Sequence, residues 1–250
     1  MRKLLAAAVL AVVAATGLSA CSSDADPNVL KVGTEGTYAP FSYQDNGTLT
    51  GYDVEVAQAI GEKLGKRVEF VQTPWDSIFA GLESQRFDLV ANQVTVNPER
   101  TAKYSLSQPY TTSEGVIVTK SDNTTITSLA DLSGKTTAQS ATSNWGKVAA
   151  GAGAKVEAVE GFVQAVQLLK AGRVDATVND TLAVGEYTKK TGDTGIKIAG
   201  KTGETSKQAF AARKDDAALI ADIDKALEQL RADGTLTRLS EKYFGTDVSK

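Results

Sequence analysis

Short β-rich runs alternate with helix-patterned stretches from residue 30 to residue 244, the signature of an α/β fold with a largely parallel sheet. Residues 30–33 read as a strand entering a Gly-rich loop. Asp53 is placed to cap a helix reaching residue 64, with Val56, Ile60 and Leu64 four apart and Gly65 as its stop. Residues 68–71 read as a strand, 75–85 as a helix and 89–96 as a strand. A second series follows: extended residues 115–119, a strand at 135–139, a helix at 143–150, a strand at 155–159, a helix at 163–171, a strand at 175–178 and a helix at 182–190. Residues 209–212 are extended again. Leu219, Ile223, Leu227 and Leu230 then mark one face of a long helix over 216–233, and a helix over 235–244 closes the series.

Two extended segments, near Gly115 and Ala209, bracket one complete α/β unit. The simplest topology is a first lobe made from both ends of the chain, residues 29–114 plus 210–250, with a second lobe, residues 115–209, inserted into it. Two crossing strands would form the hinge.

Residues 1–20 have the make-up of an export signal: basic Arg2 and Lys3, then no charge through Cys21, with small residues at the end. Leu18-Ser19-Ala20-Cys21 resembles a bacterial lipobox, in which Cys21 is acylated and becomes the mature N-terminus. An uncleaved anchor helix is the alternative; the Ala-rich run with Gly17 near its end disfavours it. Either way the chain ends outside the cytoplasm, tied to a membrane, with residues 21–28 as a flexible tether. Cys21 is the only cysteine, so no internal disulfide is available.

Arg2 and Lys3 contribute +2 to a net charge of −3, so the rest of the chain carries −5. That acidity, with no basic stripe, argues against a nucleic-acid partner. Histidine is absent, which excludes His-based triads and, without a Cys cluster, disfavours catalytic zinc. No metal and no cofactor is expected. Leu132-Ser133-Gly134-Lys135-Thr136 imitates the end of a phosphate-binding loop, but it precedes a strand instead of following one, so Gly134 is read as a turn.

Arg100 sits where helix physics disfavours it. Asn97 is a fitting N-cap and Pro98 a fitting first residue, so the cation falls in the first turn, at a cost of roughly 0.3–1 kcal/mol. A guanidinium there, after a strand end and a polar loop, is a candidate socket for a carboxylate. The bland reading is a solvated surface arginine.

The other candidates also follow strands. Gln139-Ser140-Ala141-Thr142-Ser143 opens a helix and offers hydroxyls and N–H groups to an anion, although Ser143 equally serves as an ordinary cap. Asp180 is by default an N-cap; its alternative role is to receive an ammonium group. Tyr38 and Trp75 are core aromatics or cleft walls, and Glu35 is a solvated charge or a polar handle. In open α/β sheets ligands bind beyond the carboxyl ends of strands. Glu35, Tyr38, Trp75, Thr95 and Arg100 follow strands of the first lobe, and Thr142, Ser143 and Asp180 follow strands of the second. Such a set is complementary to a free amino acid.

At this point the chain resembles a family 3 extracellular solute-binding protein of an ABC importer for polar amino acids. The likeness spans the mature region. It rests on Gly36-Thr37-Tyr38-Ala39-Pro40-Phe41 with Gly51-Tyr52-Asp53-Val54-Glu55, on Thr95 with Arg100, and on Ser107-Gln108-Pro109-Tyr110. Gly172-Arg173-Val174-Asp175-Ala176 followed by Asp180, and Asp233-Gly234-Thr235-Leu236, complete it. The resemblance implies a two-lobe, periplasmic-binding-protein-like (type II) fold with a ligand cleft between lobes joined by two hinge strands.

The resemblance further implies that Arg100 pairs with the ligand carboxylate, helped by Thr95 and the Thr142–Ser143 loop. Asp180 would take the ammonium, with Tyr38 and Trp75 around the side chain. Glu35-Gly36-Thr37-Tyr38, Asn92-Gln93-Val94-Thr95 and Leu239-Ser240-Glu241-Lys242-Tyr243-Phe244-Gly245 look most like cystine-binding members, with Asn92 and Gln93 meeting the ligand. The sequence departs from many relatives at Gln139-Ser140-Ala141, where glycine is common, which bears on the second-lobe anion contact; Gln139 is among the candidate contacts. Cystine is the favoured ligand; glutamine, cysteine and other polar amino acids are the alternatives. The expected partners are the amino acid, an importer permease and the membrane through the Cys21 anchor, with the protein a monomer. An amino-acid sensor or adhesin without transport, and a cyclohexadienyl dehydratase-like enzyme, are the rival functions.

Overall fold

The structure, a computed structural model, describes residues 26–250. The export signal, Cys21 and residues 22–25 of the tether lie outside the described residues. The first elements are β1 (Val29–Thr34), a small antiparallel sheet of β2 (Thr37–Tyr38), β3 (Ser42–Asp45) and β4 (Thr48–Thr50), then α1 (Tyr52–Leu64) and β5 (Arg67–Gln72). α2 (Trp75–Glu83), β6 (Leu89–Thr95), α3 (Pro98–Lys103) and β7 (Tyr104–Leu106) follow. β8 (Thr111–Lys120) leads into β9 (Thr136–Gln139), α4 (Asn144–Gly151), β10 (Lys155–Ala158), α5 (Gly161–Lys170), β11 (Thr177–Asp180) and α6 (Thr181–Thr191). The 18-residue β12 (Ile196–Arg213) returns, and α7 (Ala217–Ala232) and α8 (Thr235–Phe244) finish the chain.

β8 and β12 cross together, antiparallel, from Thr111↔Gln208 to Lys120↔Ile196, with register shifts near Gly200 and between Lys201 and Thr205. At one end β12 continues onto β6 and β7; at the other β8 pairs with β11. A seven-stranded sheet in the order β11-β8-β12-β6-β1-β5, with β7 on β12, therefore runs through both halves. It is mixed: β1 is parallel to β5 and β6, whereas the crossing strands run against their neighbours. The expected parallel pattern holds within the halves and breaks at the crossing, because a chain that leaves a lobe and returns must reverse direction.

The apolar strand runs are buried on both faces, as strands covered by helices require. In β6, Leu89 and Ala91 face the α1–α7–α8 core, with Ile60, Leu227 and Leu239, while Val90 and Val94 face Trp75, Ile78 and Phe87. In β8, Val116 and Val118 join Phe162, Val166 and Leu169, and Ile117 joins Leu132, Trp145 and Val178. Period-two alternation thus gives each half its own pair of cores.

α1 begins two residues earlier than expected, after Gly51 instead of Asp53. Gly51 has φ 130° and a Cβ there would lie 2.2 Å from the Phe41 carbonyl oxygen, so only glycine fits. Gly65 ends the helix in the left-handed conformation, as its position predicts. Asp53, freed from capping, reaches β6 instead. Gly134 is a turn at φ 73° whose N–H bonds to the Gly153 carbonyl, not a phosphate cradle.

Candidate functional site

Strand ends and helix caps place the functional side chains. Asn97 accepts a hydrogen bond from the Arg100 N–H at 2.9 Å, with Pro98 as the first helical residue. Ser143 caps α4 by accepting from Gly146 N–H at 3.0 Å, and Asp180 caps α6 by accepting from Leu182 N–H at 2.8 Å. The default capping roles are real, and Ser143 and Asp180 also stand at the cleft.

A cavity lies between the halves. Nine of the eleven residues expected at the site line it: Glu35, Tyr38, Trp75, Asn92, Gln93 and Thr95 from one side, and Gln139, Ser143 and Asp180 from the other. Trp145, Phe162, Asn179 and Gln208 also line it. None of these four drew attention in the sequence. Trp145 and Phe162 look like core aromatics, and Asn179 is eclipsed by Asp180 beside it.

Arg100 and Thr142 do not line this cavity. Arg100 is buried directly behind its wall, with its guanidinium 5.1 Å from the centroid of the Trp75 ring and 5.5 Å from that of Phe79. One of its N–H groups donates to the Thr95 carbonyl at 3.0 Å. Trp75 and Thr95, its immediate partners, both face the cavity. Thr142 instead closes the rim: its hydroxyl donates to Asp76 Oδ1 at 2.6 Å and its N–H to the same oxygen at 3.1 Å. Further clasps join the halves. Lys147 pairs with Glu99, the Tyr38 hydroxyl donates to Asn179 Oδ1 at 2.8 Å, and Lys190 lies 4.9 Å over the Tyr43 ring.

The cavity concentrates uncompensated charge. Asp180 accepts from Leu182 N–H and from the Ser113 hydroxyl, yet burial lifts its pKa to about 6. Burial likewise lifts Glu35 to about 7, although the Asn92 amide donates to it at 2.6 Å. Arg100 is pushed down to about 10 by the same cause. Among the described residues no salt bridge engages Asp180, Glu35 or Arg100. Buried ions are ordinarily paired, so an acid and a base left apart around one cleft are poised for a ligand that carries both charges. Buried polar atoms of Trp75, Gln93, Gln139 and Gln208 are also unpartnered.

Asp53 supports this wall from behind. Its carboxylate accepts from Gln93 N–H at 2.7 Å and from the Gln93 side-chain amide at 2.6 Å. These bonds hold Gln93 at φ 50°, a left-handed conformation that glutamine rarely adopts. Burial lifts Asp53 to about 7.

Two lobes sharing crossing strands and clasped over a polar, charge-bearing cavity define a hinged ligand-capture protein. The chain belongs to the bacterial extracellular solute-binding proteins, family 3, whose model matches residues 30–246. It is 54% identical over 224 residues to the L-cystine-binding protein TcyA of Bacillus subtilis, covering 89% of this chain and 83% of that protein. Among solved structures, an ancestral arginine-binding protein bound to glutamine matches with TM-score 0.83 at 38% identity, covering 88% of this chain and 100% of the other. The L-cystine solute receptor of Neisseria gonorrhoeae, unliganded and open, is more similar in sequence at 46% but matches with TM-score 0.60, over 89% and 94% of the two chains. The chain thus superposes better on the ligand-bound relative than on the open, unliganded one despite the lower identity. The curated relatives are binding proteins, and this chain is a substrate-binding protein, not a dehydratase-like enzyme.

Proposed function

We propose that the protein captures a zwitterionic polar amino acid, with L-cystine favoured, and delivers it to the permease of an ABC importer. The observation that carries this reading is the buried Asp180 and the buried Arg100, each without an ionic partner, flanking one inter-lobe cavity. Asp180 receives the α-ammonium. Arg100 turns part of its planar fork from the Thr95 carbonyl to the α-carboxylate, helped by Thr95 and Ser143. Tyr38 and Trp75 wall the side chain, and Asn92, Gln93 and Gln139 offer amide and main-chain groups to it. Glu35 meets a donor at the ligand's far end, which suits a molecule with a second ammonium group. Thr142 acts through closure, on Asp76.

Cystine is favoured because the similar proteins include those named for cystine binding, TcyA and TcyJ among them. The lobes are taken as residues 29–114 plus 210–250 and 115–209, the protein as a monomer, and Cys21 as the site of a lipid anchor on the outer face of the cell membrane. Ligand drives closure only by its differential affinity, and moving a 1:99 population to 99:1 takes about 5.5 kcal/mol. The test is a thermal-shift panel of all amino acids plus L-cystine, followed by calorimetry. Stabilisation by L-cystine at the lowest concentration supports the reading; a preference for glutamine or cysteine redirects the ligand. No response to any amino acid refutes it. Binding without dependence of cellular uptake on the protein would favour the sensor or adhesin role.

A further inference from the structure

Gln208 belongs to the crossing strand β12, paired with Thr111 of β8 and with Thr95 of β6, and is 1% exposed. It lines the cavity, yet its sequence setting, Thr205-Ser206-Lys207-Gln208, reads as a solvated edge. A hydrogen-bond chain fixes its orientation. Asp180, as a carboxylate, can only accept, so the Ser113 hydroxyl spends its one proton on Asp180. Ser113 Oγ can then only accept from the Gln208 amide, at 3.2 Å. The second amide proton of Gln208 goes to Ser206 Oγ at 2.8 Å. Both donors are used, and Gln208 Oε1 is left buried and without a partner. Turning the amide over would set its oxygen against Ser113, which has no proton left to give.

We infer that Gln208 is a further ligand contact: a fixed, neutral acceptor presented by the hinge strand at the Asp180 end of the cavity. An ammonium has three protons, and a carboxylate that also serves Ser113 and Leu182 does not satisfy them all. The Gln208 carbonyl supplies another acceptor there without adding charge. Because Gln208 sits in the strand that crosses between the lobes, the contact ties the ligand to the hinge as well as to the two walls. The inference rests on the cavity being an amino-acid site.

The test is calorimetric titration of the whole protein with L-cystine and with L-glutamine, using Gln208→Leu, Ser113→Ala, the double variant and Asp180→Asn. Gln208→Met, unbranched and of similar length, replaces the leucine variant if that one fails to fold. Gln208→Leu is expected to weaken binding about tenfold, the scale of one hydrogen bond to a charged donor. The weakening persists in the Ser113→Ala background, because the contact is direct. If it vanishes there, Gln208 only orients Ser113 and Asp180, and the inference is overturned. If Gln208→Leu binds like the parent while Asp180→Asn loses binding, this inference fails and the amino-acid reading stands. A parent protein that binds neither probe nor any other amino acid overturns both.

Discussion

Ligand binding should release a proton and tighten as pH rises from 5 to 7. Asp180, lifted to about 6 by burial, is the group responsible. An ammonium on its carboxylate favours the ionised form, so the ligand competes with the proton. The ionised fraction is about a tenth at pH 5 and about nine-tenths at pH 7, which makes Kd fall about tenfold across that range and releases about half a proton at pH 6. Arg100, at about 10, stays charged throughout, and Tyr38, raised well above 10, stays neutral. Glu35 and Asp53, both at about 7, are the competing titrations; Glu35→Gln removes the first, and Asp53 stands behind the wall on Gln93.

The unliganded protein should show the opposite trend. A raised carboxyl pKa means that the fold holds the proton more tightly than the unfolded chain does. The Asp180 contribution is therefore present below the ordinary aspartate value of about 3.9 and lost by about pH 6, a fall of about 3 kcal/mol at about 1.36 kcal/mol for each pH unit. Calorimetry with Glu35→Gln in two buffers of different ionisation enthalpy, from pH 5 to 7.5, measures both Kd and proton release. A flat Kd with no proton exchanged, or binding that tightens toward acid, would refute the linkage to Asp180.

Three other substitutions separate contact, closure and support. Arg100→Ala is expected to weaken amino-acid binding by about a hundredfold or more, two decades being about 2.8 kcal/mol, within the range for a buried charged hydrogen bond. Circular dichroism should still report the native fold, and a variant that binds as tightly as the parent removes Arg100 from the site. Asp76→Ala touches no ligand but breaks the clasp on Thr142, so dissociation measured by stopped flow should be a few times faster, a loss of about 0.5–1.5 kcal/mol. Unchanged dissociation would mean that the clasp plays no part in closure. Asp53→Ala strands the two donors of Gln93 and should lower unfolding stability by about 2–4 kcal/mol in urea titrations. Stability like the parent's would show that Gln93 keeps its left-handed turn unaided.

What the sequence revealed, and what it hid, divides along the range of the interactions. The caps at Asn97, Ser143 and Asp180, the left-handed stop at Gly65 and the whole of α8 were legible because each is set within about four residues. Most of β12 was not. Residues 196–208 carry Gly200, Gly203 and several polar residues, so no period-two apolar pattern announces a strand that only its partner β8 specifies. The small sheet over residues 37–50 escaped for a similar reason.

At the site, misplacement in a helix's first turn singled out Arg100, and the residue is indeed buried there. The direction of its side chain, onto Trp75 and Phe79, depends on how α2 packs beside α3, which no local pattern encodes. Thr142 shows the same limit: its partner Asp76 lies 66 residues away across the cleft. Gln208 was invisible because its role depends on a chain through Ser113 to Asp180 that exists only once three strands meet.

A crystal structure of the protein grown with L-cystine examines the central claim most directly. The account predicts one amino-acid group of the ligand inside the inter-lobe cavity, its ammonium in contact with Asp180 and its carboxylate on the Arg100 guanidinium. Ligand seated elsewhere, or an occupied cavity in which Arg100 stays on the Thr95 carbonyl and the carboxylate finds other partners, would contradict it.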